Sequence, residues 1–443
     1  MSTDPATSVD AVLAIRAADG RYLARWVGGS PALPRLPFQM QYPPMNSELT
    51  DRVRVELGLD TIVLEPVDFT TVVLEAGPTS GSCPSDYGWV SAEHLLGQQP
   101  ALDLWLTRTE PPRASWFTPG WFGRAEQFIR WELGSIGRRP AGPLRQVKHW
   151  SMSAVLRCRV DTGGDVYLKA VSPELAREPA VTTYLGSLGV GPFTQILVTS
   201  ETDGWWLAED FRGTEAEMVP LDRRVDCIRQ VARIQRATIG RTEELRARGA
   251  ICLDPATLAG RITELLARND LWAAPEKPSN RNRGLSDDER ARLRALGPRL
   301  QADLVALTAL DLPQTVVHRD LHLGNAVIRE DGILVHDWSF ATVSFPLLDL
   351  GSWLHDATEE EARCYVDAYV DEWSDEIDPR IVREAWRLGK PLAAVAEMLK
   401  LVDLADAVGP YHEFSWLPMI YGWCRRLLNA AADVDLETQA WRM

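Results

Sequence analysis

The chain has no excess of basic residues. Across 443 residues it carries 47 Lys and Arg against 62 Asp and Glu, a formal net charge of −15. This balance argues against a nucleic-acid or membrane-surface partner, because such proteins normally present a basic face. No apolar run approaches the ~20 residues that cross a bilayer. The first residues, MSTDPATSVDA, hold neither a basic nor an apolar segment, so we expect no signal peptide.

Cysteine is scarce, and its positions match no metal-binding or disulfide motif. The six Cys residues are scattered without a CxxC pair. This pattern disfavours a zinc site or a disulfide framework and indicates buried free thiols in a reducing compartment. We therefore expect a cytoplasmic protein. The composition, 45% apolar and 25% charged, is typical of a folded protein, and it leaves the oligomeric state open.

Negative charge is concentrated at one end of the chain. From residue 341 onward there are 19 Asp and Glu against 9 Lys and Arg, so this last quarter contributes 9 − 19 = −10 of the total. One interpretation is a set of solvated helix faces. The other is an acidic pocket for a cationic ligand.

The hydrophobic pattern divides the chain into four parts. Residues 1–107 predict a small α+β domain, with strands in AVLAIRAADGRYLARWV, TIVLEPV and TTVVLEA and a helix ending near Gly58. Residues 108–143 predict a Pro-rich linker and an amphipathic helix. Residues 144–212 predict two hairpins, VLRCRVDTGGDVYLKAV and ILVTSETDGWWLAEDF, around a helix in SPELAREPAVTTYLGSLG. Residues 213–443 predict a mostly helical domain.

Within the helical part, the stretch VHRDLHLGNAVIREDGILVHDW interleaves polar residues with strand-like apolar runs. Its second half predicts a hairpin with Asp331-Gly332 as a two-residue turn. That register places Asn325 opposite Trp338 and Ala326 opposite Asp337. The turn would therefore bring Asn325 and Asp337 to the same end of the hairpin.

Asp320 lies in the loop just before this hairpin, so a third polar group is expected near Asn325 and Asp337. Amide and carboxylate oxygens are ligands that suit Mg²⁺. Two metal ligands and a separate carboxylate base are what phosphoryl transfer requires. The structural alternative is that these residues only cap loops, as Asp and Asn often do.

The segment from His318 to Asn325, followed by His336-Asp337-Trp338, resembles the catalytic signature of the aminoglycoside phosphotransferase and choline kinase superfamily. The resemblance covers about residues 144–443. It implies an α+β, two-lobed protein-kinase-like fold, with a small β-rich lobe and a large helical lobe. It also implies Asp320 as the catalytic base, Asn325 and Asp337 as Mg²⁺ ligands, and ATP or GTP as phosphoryl donor.

The same resemblance implies further roles. Lys169, in the strand VYLKA, would contact the nucleotide phosphates, and Glu178 would hold that lysine. The remaining implied nucleotide-binding residues are Ser151 and Ser153 in a Gly-poor phosphate loop and the hinge Ala208, Glu209, Asp210 and Phe211. Structural support is expected from His318, His322 and Asp349.

The acceptor is expected to be a small molecule bound by the helical part. If the acidic last quarter forms a pocket, the acceptor carries an amine, as an aminoglycoside or amino sugar does. The candidate pocket residues are Trp353, Asp356, Glu359, Glu360, Glu413 and Trp416. Three alternatives stay open: a kinase of a neutral sugar or nucleoside, a protein kinase, and a nucleotide-binding pseudokinase that binds a partner. Two features disfavour a protein kinase: His322 stands where protein kinases usually carry Lys, and no Ala-Pro-Glu follows Asp337.

The N-terminal segment contains AVLAIRAADGRYLARW, then a helix ending VRVELGLD, then YGWVSAEHLL. Together these stretches resemble a Nudix hydrolase domain. Nudix chemistry needs a helix rich in glutamate to hold a divalent metal. Glu56 matches one of those glutamates, whereas Arg52 and Val55 occupy positions where others should stand. The resemblance therefore implies an inactive domain with a docking, lid or dimerisation role, and an unrelated α+β domain is the alternative.

Overall fold

The computed structural model describes residues 9–38, 47–67, 70–77, 84–109, 114–150, 152–272, 284–408 and 417–440. It separates into two compact units. The first unit comprises residues 1–174, 196–210 and 408–414, and the second comprises 175–195, 211–407 and 415–443. None of the helices in the described ranges combines the length and apolarity that a membrane span requires.

The first unit begins with a mixed sheet, whose strands in the described ranges are β1 Val9–Arg16, β2 Tyr22–Val27, β3 Ser30–Ala32, β4 Arg35–Phe38, β5 Thr61–Pro66, β6 Thr71–Ala76 and β7 Gly88–Val90. The strand order is β3-β2-β1-β6-β5, with β4 paired to β1 and β7 paired to β2. Helix α1, Ser47–Leu57, packs Leu49 and Val53 into the core on one side of the sheet. The predicted strands and the helix ending before Gly58 are confirmed.

A second sheet completes the first unit. It follows helices α2 Pro100–Leu106 and α3 Trp121–Ser135. Its strands are β8 Arg145–His149, β9 Ser153–Arg159, β10 Asp165–Val171, β11 Ile196–Ser200 and β12 Trp205–Glu209. They form an antiparallel sheet of order β11-β12-β10-β9-β8, which confirms both predicted hairpins. Gln146 on β8 exchanges two hydrogen bonds of 2.8 Å with the backbone of Val63 on β5, so the two sheets are joined within this unit.

The second unit is mainly helical. Its helices in the described ranges are α4 Glu178–Ser187, α5 Leu221–Ala237, α6 Thr242–Ala247, α7 Pro255–Ala267, α8 Asp287–Ala295, α9 Gly297–Thr308, α10 Asp349–Trp353, α11 Glu359–Trp373, α12 Pro379–Val408 and α13 Leu417–Ala440. Its short strands are β13 Thr214–Glu215, β14 Ile251–Cys252, β15 Thr315–Val317, β16 Ala326–Arg329, β17 Gly332–Val335 and β18 Thr342–Ser344. They form two small sheets, of order β13-β16-β17 and β14-β18-β15.

A glycine contact sets the position of α12 in this unit. A Cβ built on Gly351 of α10 would lie 2.6 Å from the Cβ of Ala393 on α12. A Cβ built on Gly389 of α12 would overlap Cδ1 of Leu347, the end of a flexible side chain that can move aside. Because the Cβ of Ala393 cannot move aside in this way, the close approach of α12 to α10 depends on glycine at position 351. This contact places α12 beside the element that carries Asp349.

The hairpin of β16 and β17 has a register that differs from the prediction. Arg329 pairs with Gly332, and Ala326 pairs with Val335. The two turn residues are therefore Glu330 and Asp331, and Gly332, with φ 135°, is already in the strand. The predicted pairs of Asn325 with Trp338 and of Ala326 with Asp337 are wrong by two positions, because the turn closes one residue earlier. Asn325 and Asp337 nevertheless lie at the same end of the hairpin.

Candidate active site

The loop after β15 is held by one buried carboxylate. Asp349, the first residue of α10, accepts hydrogen bonds from the backbone N–H groups of His318 at 3.0 Å and Arg319 at 2.9 Å. Gln235 on α5 donates a third at 2.9 Å. Burial raises the pKa of Asp349 to about 6, although the three donors act in the opposite direction. A helix start beneath the loop thus fixes the backbone just before Asp320.

His318 connects the loop after β15 with the open end of the β16–β17 hairpin, opposite its turn. Its side chain is fully buried, and burial lowers its pKa to about 4, so the ring is neutral. Nε2 lies 2.8 Å from the carbonyl oxygen of His336, and Nδ1 lies 3.3 Å from the backbone N–H of Asp320. A neutral ring satisfies both contacts when Nε2 carries the proton. His318 therefore connects the residues next to Asp337 with Asp320.

Asp320 presents a partly open carboxylate at the tip of this loop. About a third of its side chain, 33%, is exposed. Burial would raise its pKa, but the charge of Lys400 and that of His322 outweigh this effect and hold the pKa below the usual range. The amide of Asn325 donates to the backbone oxygen of Asp320 at 2.8 Å. The exposed His322 caps the short turn that follows, because its Nδ1 accepts from the N–H of Gly324 at 3.1 Å.

Asp337 follows the hairpin in a strained backbone conformation. Its φ is 64°, and that of Arg319 is 63°; both values lie in the left-handed region that residues with a side chain rarely adopt. Strain of this kind persists where the surrounding structure enforces it, and it concentrates at functional sites. The hydroxyl of Ser339 lies 2.9 Å from Oδ1 of Asp337 and 2.6 Å from Oε2 of Glu178. Glu178, the first residue of α4, is thus linked to Asp337 through one hydroxyl group.

Asn325 and Asp337 have the chemistry that a magnesium site needs. The amide nitrogen of Asn325 donates to the Asp320 backbone, and no residue of the described ranges donates to its oxygen. The carboxylate of Asp337 supplies a charged oxygen. Both are hard oxygen donors, which suits Mg²⁺, and this ion commonly takes its other ligands from water and phosphate. The two residues therefore fit the ion, without a third protein ligand being required.

Two residues near Asp320 were missed by the sequence reasoning. Lys400 on α12 is 2.8 Å from Oδ1 of Asp320, and its side chain is 7% exposed. Glu397, one turn earlier on the same helix, is 2.6 Å from Lys400. The sequence did contain a signal, because the run AAVAEMLKLV sets these two charges three residues apart inside an otherwise apolar stretch of the helix. Charged side chains are rarely buried unless they are paired.

The predicted nucleotide-binding residues of the first unit are distributed over its second sheet. Lys169 lies on β10, paired with Val155 on β9 and with Trp206 on β12. Its ammonium group is 5.4 Å from the centre of the Trp206 ring. Ser153 is buried at the start of β9, where its hydroxyl accepts from the indole of Trp150 at 2.8 Å. Ser151 lies outside the described residues.

The predicted hinge spans the boundary between the units in sequence. Ala208 and Glu209 end β12, and Glu209 forms an ion pair with Arg138. The backbone N–H of Asp210 donates to Asp165 at 3.3 Å. In the second unit, the ring of Phe211 stacks on His336 with centroids 4.2 Å apart. Phe211 thus contacts the residue that precedes Asp337.

The predicted acceptor residues do not form one set of free acids. Trp353 ends α10 and is buried against Tyr365. Asp356 already has two nitrogen partners within reach, the ring of His355 at 2.7 Å and the guanidinium group of Arg426 at 3.9 Å. Glu359 and Glu360 are exposed in the first turn of α11. Glu413 and Trp416 lie outside the described residues.

Several acids after residue 341 form ion pairs with arginines of preceding helices. Arginines on α5, on α7 and just after α7 pair with acids on α11, just after α11 and on α12. These pairs are Arg224–Glu361, Arg229–Asp371, Arg233–Glu372, Arg236–Glu372, Arg236–Glu376, Arg261–Asp403 and Arg268–Asp406. This observation favours paired and solvated helix faces over a single acidic pocket.

Comparison with known proteins identifies a family. Residues 153–387 match the model of the phosphotransferase enzyme family. This match covers more than half of the chain and includes Lys169, Glu178, Asp320, Asn325 and Asp337. No curated protein sequence matches the chain significantly.

Several solved structures are similar to this chain at low identity. A macrolide 2′-phosphotransferase type I shares 15% identity with a TM-score of 0.47, over 70% of this chain and 97% of its own. A choline/ethanolamine kinase family protein from Mesorhizobium loti shares 16% with a TM-score of 0.46, over 69% and 98%. Aminoglycoside 2′-phosphotransferase-IIIa, solved as a GDP complex, shares 14% with a TM-score of 0.47, over 70% and 98%.

Proposed function

Because the chain belongs to the phosphotransferase enzyme family, which makes it a phosphotransferase with an alcohol group as acceptor, we propose a specific reaction. The protein transfers the γ-phosphoryl group of ATP or GTP, bound with Mg²⁺, to a hydroxyl group of a small molecule. The observation that carries this proposal is the ionised, partly exposed carboxylate of Asp320, held beside Asn325 and near the end of the hairpin where Asp337 lies.

In this mechanism Asp320 binds the acceptor hydroxyl, orients it towards the phosphorus atom and accepts its proton. Positioning and electrostatic stabilisation supply most of the rate enhancement in such reactions. Asn325 and Asp337 would hold the Mg²⁺ ion, which neutralises phosphate charge when bound. We assign Lys169 to the nucleotide phosphates and Glu178 to the support of Lys169 and Asp337. His318 and Asp349 fix the backbone of the loop.

The acceptor class has two candidates. An amine-bearing acceptor, such as an aminoglycoside or amino sugar, is supported by Glu359 and Glu360, which are exposed and have no partner among the described residues. A neutral sugar or nucleoside is favoured by the ion pairs that occupy several other acids of this region. We place the amine-bearing acceptor first, and the comparison of the two classes is built into the test.

The test measures the release of ADP or GDP by the full-length protein with Mg²⁺. The acceptor panel contains aminoglycosides, and glucosamine beside glucose as a matched pair. We expect acceptor-dependent turnover that falls by about 10²–10⁴-fold in Asp320→Asn, the range for loss of a general base, while nucleotide affinity is retained. Turnover of Asp320→Asn near the wild-type value would disprove the assignment. Equal kcat/KM for glucosamine and glucose would select the neutral class, and nucleotide binding without any turnover would select the pseudokinase.

A further inference from the structure

Lys400 uses all three of its hydrogen-bond donors, two on the loop around Asp320 and one on its own helix. Its three donors reach Oδ1 of Asp320 at 2.8 Å, Oε2 of Glu397 at 2.6 Å and the backbone oxygen of Arg319 at 2.6 Å. An ammonium group has three N–H donors. Each donor of Lys400 therefore has its own acceptor, which fixes the orientation of the group. It is 7% exposed, and Glu397 is 5% exposed.

The contact continues along α12. Arg319 donates from its guanidinium to the backbone oxygen of Ala396. Ala396, Glu397 and Lys400 occupy one face of the helix, since residues three and four apart are neighbours on a helix surface. All three contact Arg319, Asp320 or each other. One face of α12 therefore fixes the strained residue Arg319 and the carboxylate that follows it.

The two carboxylate oxygens of Asp320 have different surroundings. Oδ1 is held by the buried ammonium group. Oδ2 accepts no hydrogen bond from any residue in the described ranges, and a third of the side chain, 33%, faces solvent. A carboxylate anchored through one oxygen has the other available for an incoming hydroxyl group.

From this geometry we infer that Lys400 is a positioning residue for phosphoryl transfer, which anchors one oxygen of Asp320 so that the other meets the acceptor hydroxyl. Protein kinases usually carry a lysine two residues after the catalytic aspartate, and here that position is His322. Lys400 brings a cation to the aspartate from a helix 80 residues further along the chain. The inference rests on the proposed function, because it requires Asp320 to act as the base.

The first variant is Lys400→Met, which keeps the length of the side chain and removes its donors. We expect kcat to fall by about 10²-fold, the effect that a misplacement of about 1 Å produces, while the nucleotide KM stays unchanged. ADP release is measured with water as acceptor and with the best acceptor of the panel. Lys390→Met on the same helix is the matched control, since no contact joins Lys390 to Asp320 in the described ranges.

Lys400→Met leaves Glu397 as a buried carboxylate without its partner, and this alone can destabilise the protein. The double variant Glu397→Gln/Lys400→Met removes both charges. We expect it to recover thermal stability towards that of Glu397→Gln without recovering kcat. If kcat returns together with stability, Lys400 has only a structural role and the inference is wrong.

A double-mutant cycle separates this inference from the proposed function. In the Asp320→Asn background, Lys400→Met should lower kcat by less than threefold, because its effect acts through the Asp320 carboxylate. An undiminished loss in that background would overturn the inference. If Asp320→Asn itself retains wild-type turnover, the proposed base is wrong. If Asp320→Asn loses turnover and Lys400→Met does not, only the role of Lys400 fails.

Discussion

The carboxylates of this protein differ in their exposure to solvent, as Asp349 and Asp288 illustrate. Asp349 is 1% exposed and accepts three hydrogen bonds that fix the loop before Asp320. The carboxylate of Asp288 is 78% exposed on α8. We expect the protonation of the buried carboxylate of Asp349 to be coupled to folding.

We predict that Asp349→Asn changes the pH dependence of stability. Burial raises the pKa of Asp349 to about 6, whereas an unfolded aspartate has a pKa of about 3.9. Between about pH 4 and pH 6 the carboxyl group of Asp349 is therefore protonated in the native state and ionised in the unfolded state. The stabilisation from this proton is complete below pH 4 and is lost as the pH rises through 6. Between pH 7 and pH 4 the wild type should gain on the order of 2–3 kcal/mol of unfolding free energy relative to Asp349→Asn.

Denaturant unfolding, followed by tryptophan fluorescence at several pH values, measures this difference. Asp288→Asn, at an exposed carboxylate, is measured in parallel as the control for loss of a surface charge. A constant offset between Asp349→Asn and the wild type would mean that the pKa of Asp349 is not raised in the native state.

At the scale of elements, α12 is the helix that organises the candidate site. It approaches α10 through Gly351 and Ala393 and contacts the loop through Ala396, Glu397 and Lys400. It does so although Pro391 lies inside it. A proline in a helix interior removes one backbone hydrogen bond, so packing on both sides of Pro391 must hold the helix in place.

We predict that Gly351→Ala lowers the unfolding free energy by about 1–3 kcal/mol, the usual effect of overpacking a core. The added methyl group would meet Cβ of Ala393 at 2.6 Å. The control is Gly260→Ala on α7, where nothing lies within 4 Å of the new Cβ. That substitution should stabilise the protein by about 0.5–1 kcal/mol, because alanine favours the helix more than glycine does. Equal effects of the two substitutions would contradict the close packing of α10 on α12.

Local elements were predicted well from the sequence, and contacts between distant elements were not. The hairpin over residues 326–335, the strands and α1 followed from apolar alternation and turn residues. The predicted register of the hairpin was wrong because Gly332 suits two positions, the second central residue of a type I′ turn and the last residue of a type I turn. The sequence does not decide between them. Lys400 was missed because a charged residue in a helix has no partner until the fold supplies one. Asp320, Asn325 and Asp337 were selected by their spacing, which needs no knowledge of the remaining chain.

At the scale of the whole molecule, the N-terminal sheet belongs to the first compact unit. It is joined to the second sheet of that unit through Gln146 and Val63. The domain boundaries at residues 107 and 143, and the Nudix-like identity, stay predictions. In α1, Nη2 of Arg52 lies 3.2 Å from Oε1 of Glu56, the candidate metal ligand. The carboxylate that would bind a metal is therefore paired with a guanidinium group.

We predict that the full-length protein lacks pyrophosphohydrolase activity. A nucleoside diphosphate sugar incubated with the protein and Mg²⁺ should release no nucleoside monophosphate above background. The Asp320→Asn variant is assayed in parallel, so that any phosphotransferase turnover is removed. Release that depends on Mg²⁺, persists in Asp320→Asn and disappears in Glu56→Gln would refute this prediction and restore a catalytic role for α1.

The position of Lys400 has a consequence for the design of chimaeras. The family match ends at residue 387, so the helix face with Lys400 lies beyond the segment by which the family is recognised. Exchanging the C-terminal helices between members of the family is an obvious way to transplant acceptor preference. In this chain such an exchange would also replace the cation that anchors Asp320. A hybrid built at that junction should therefore keep residues 396–400, or an inactive product will be misread as a failure of acceptor binding.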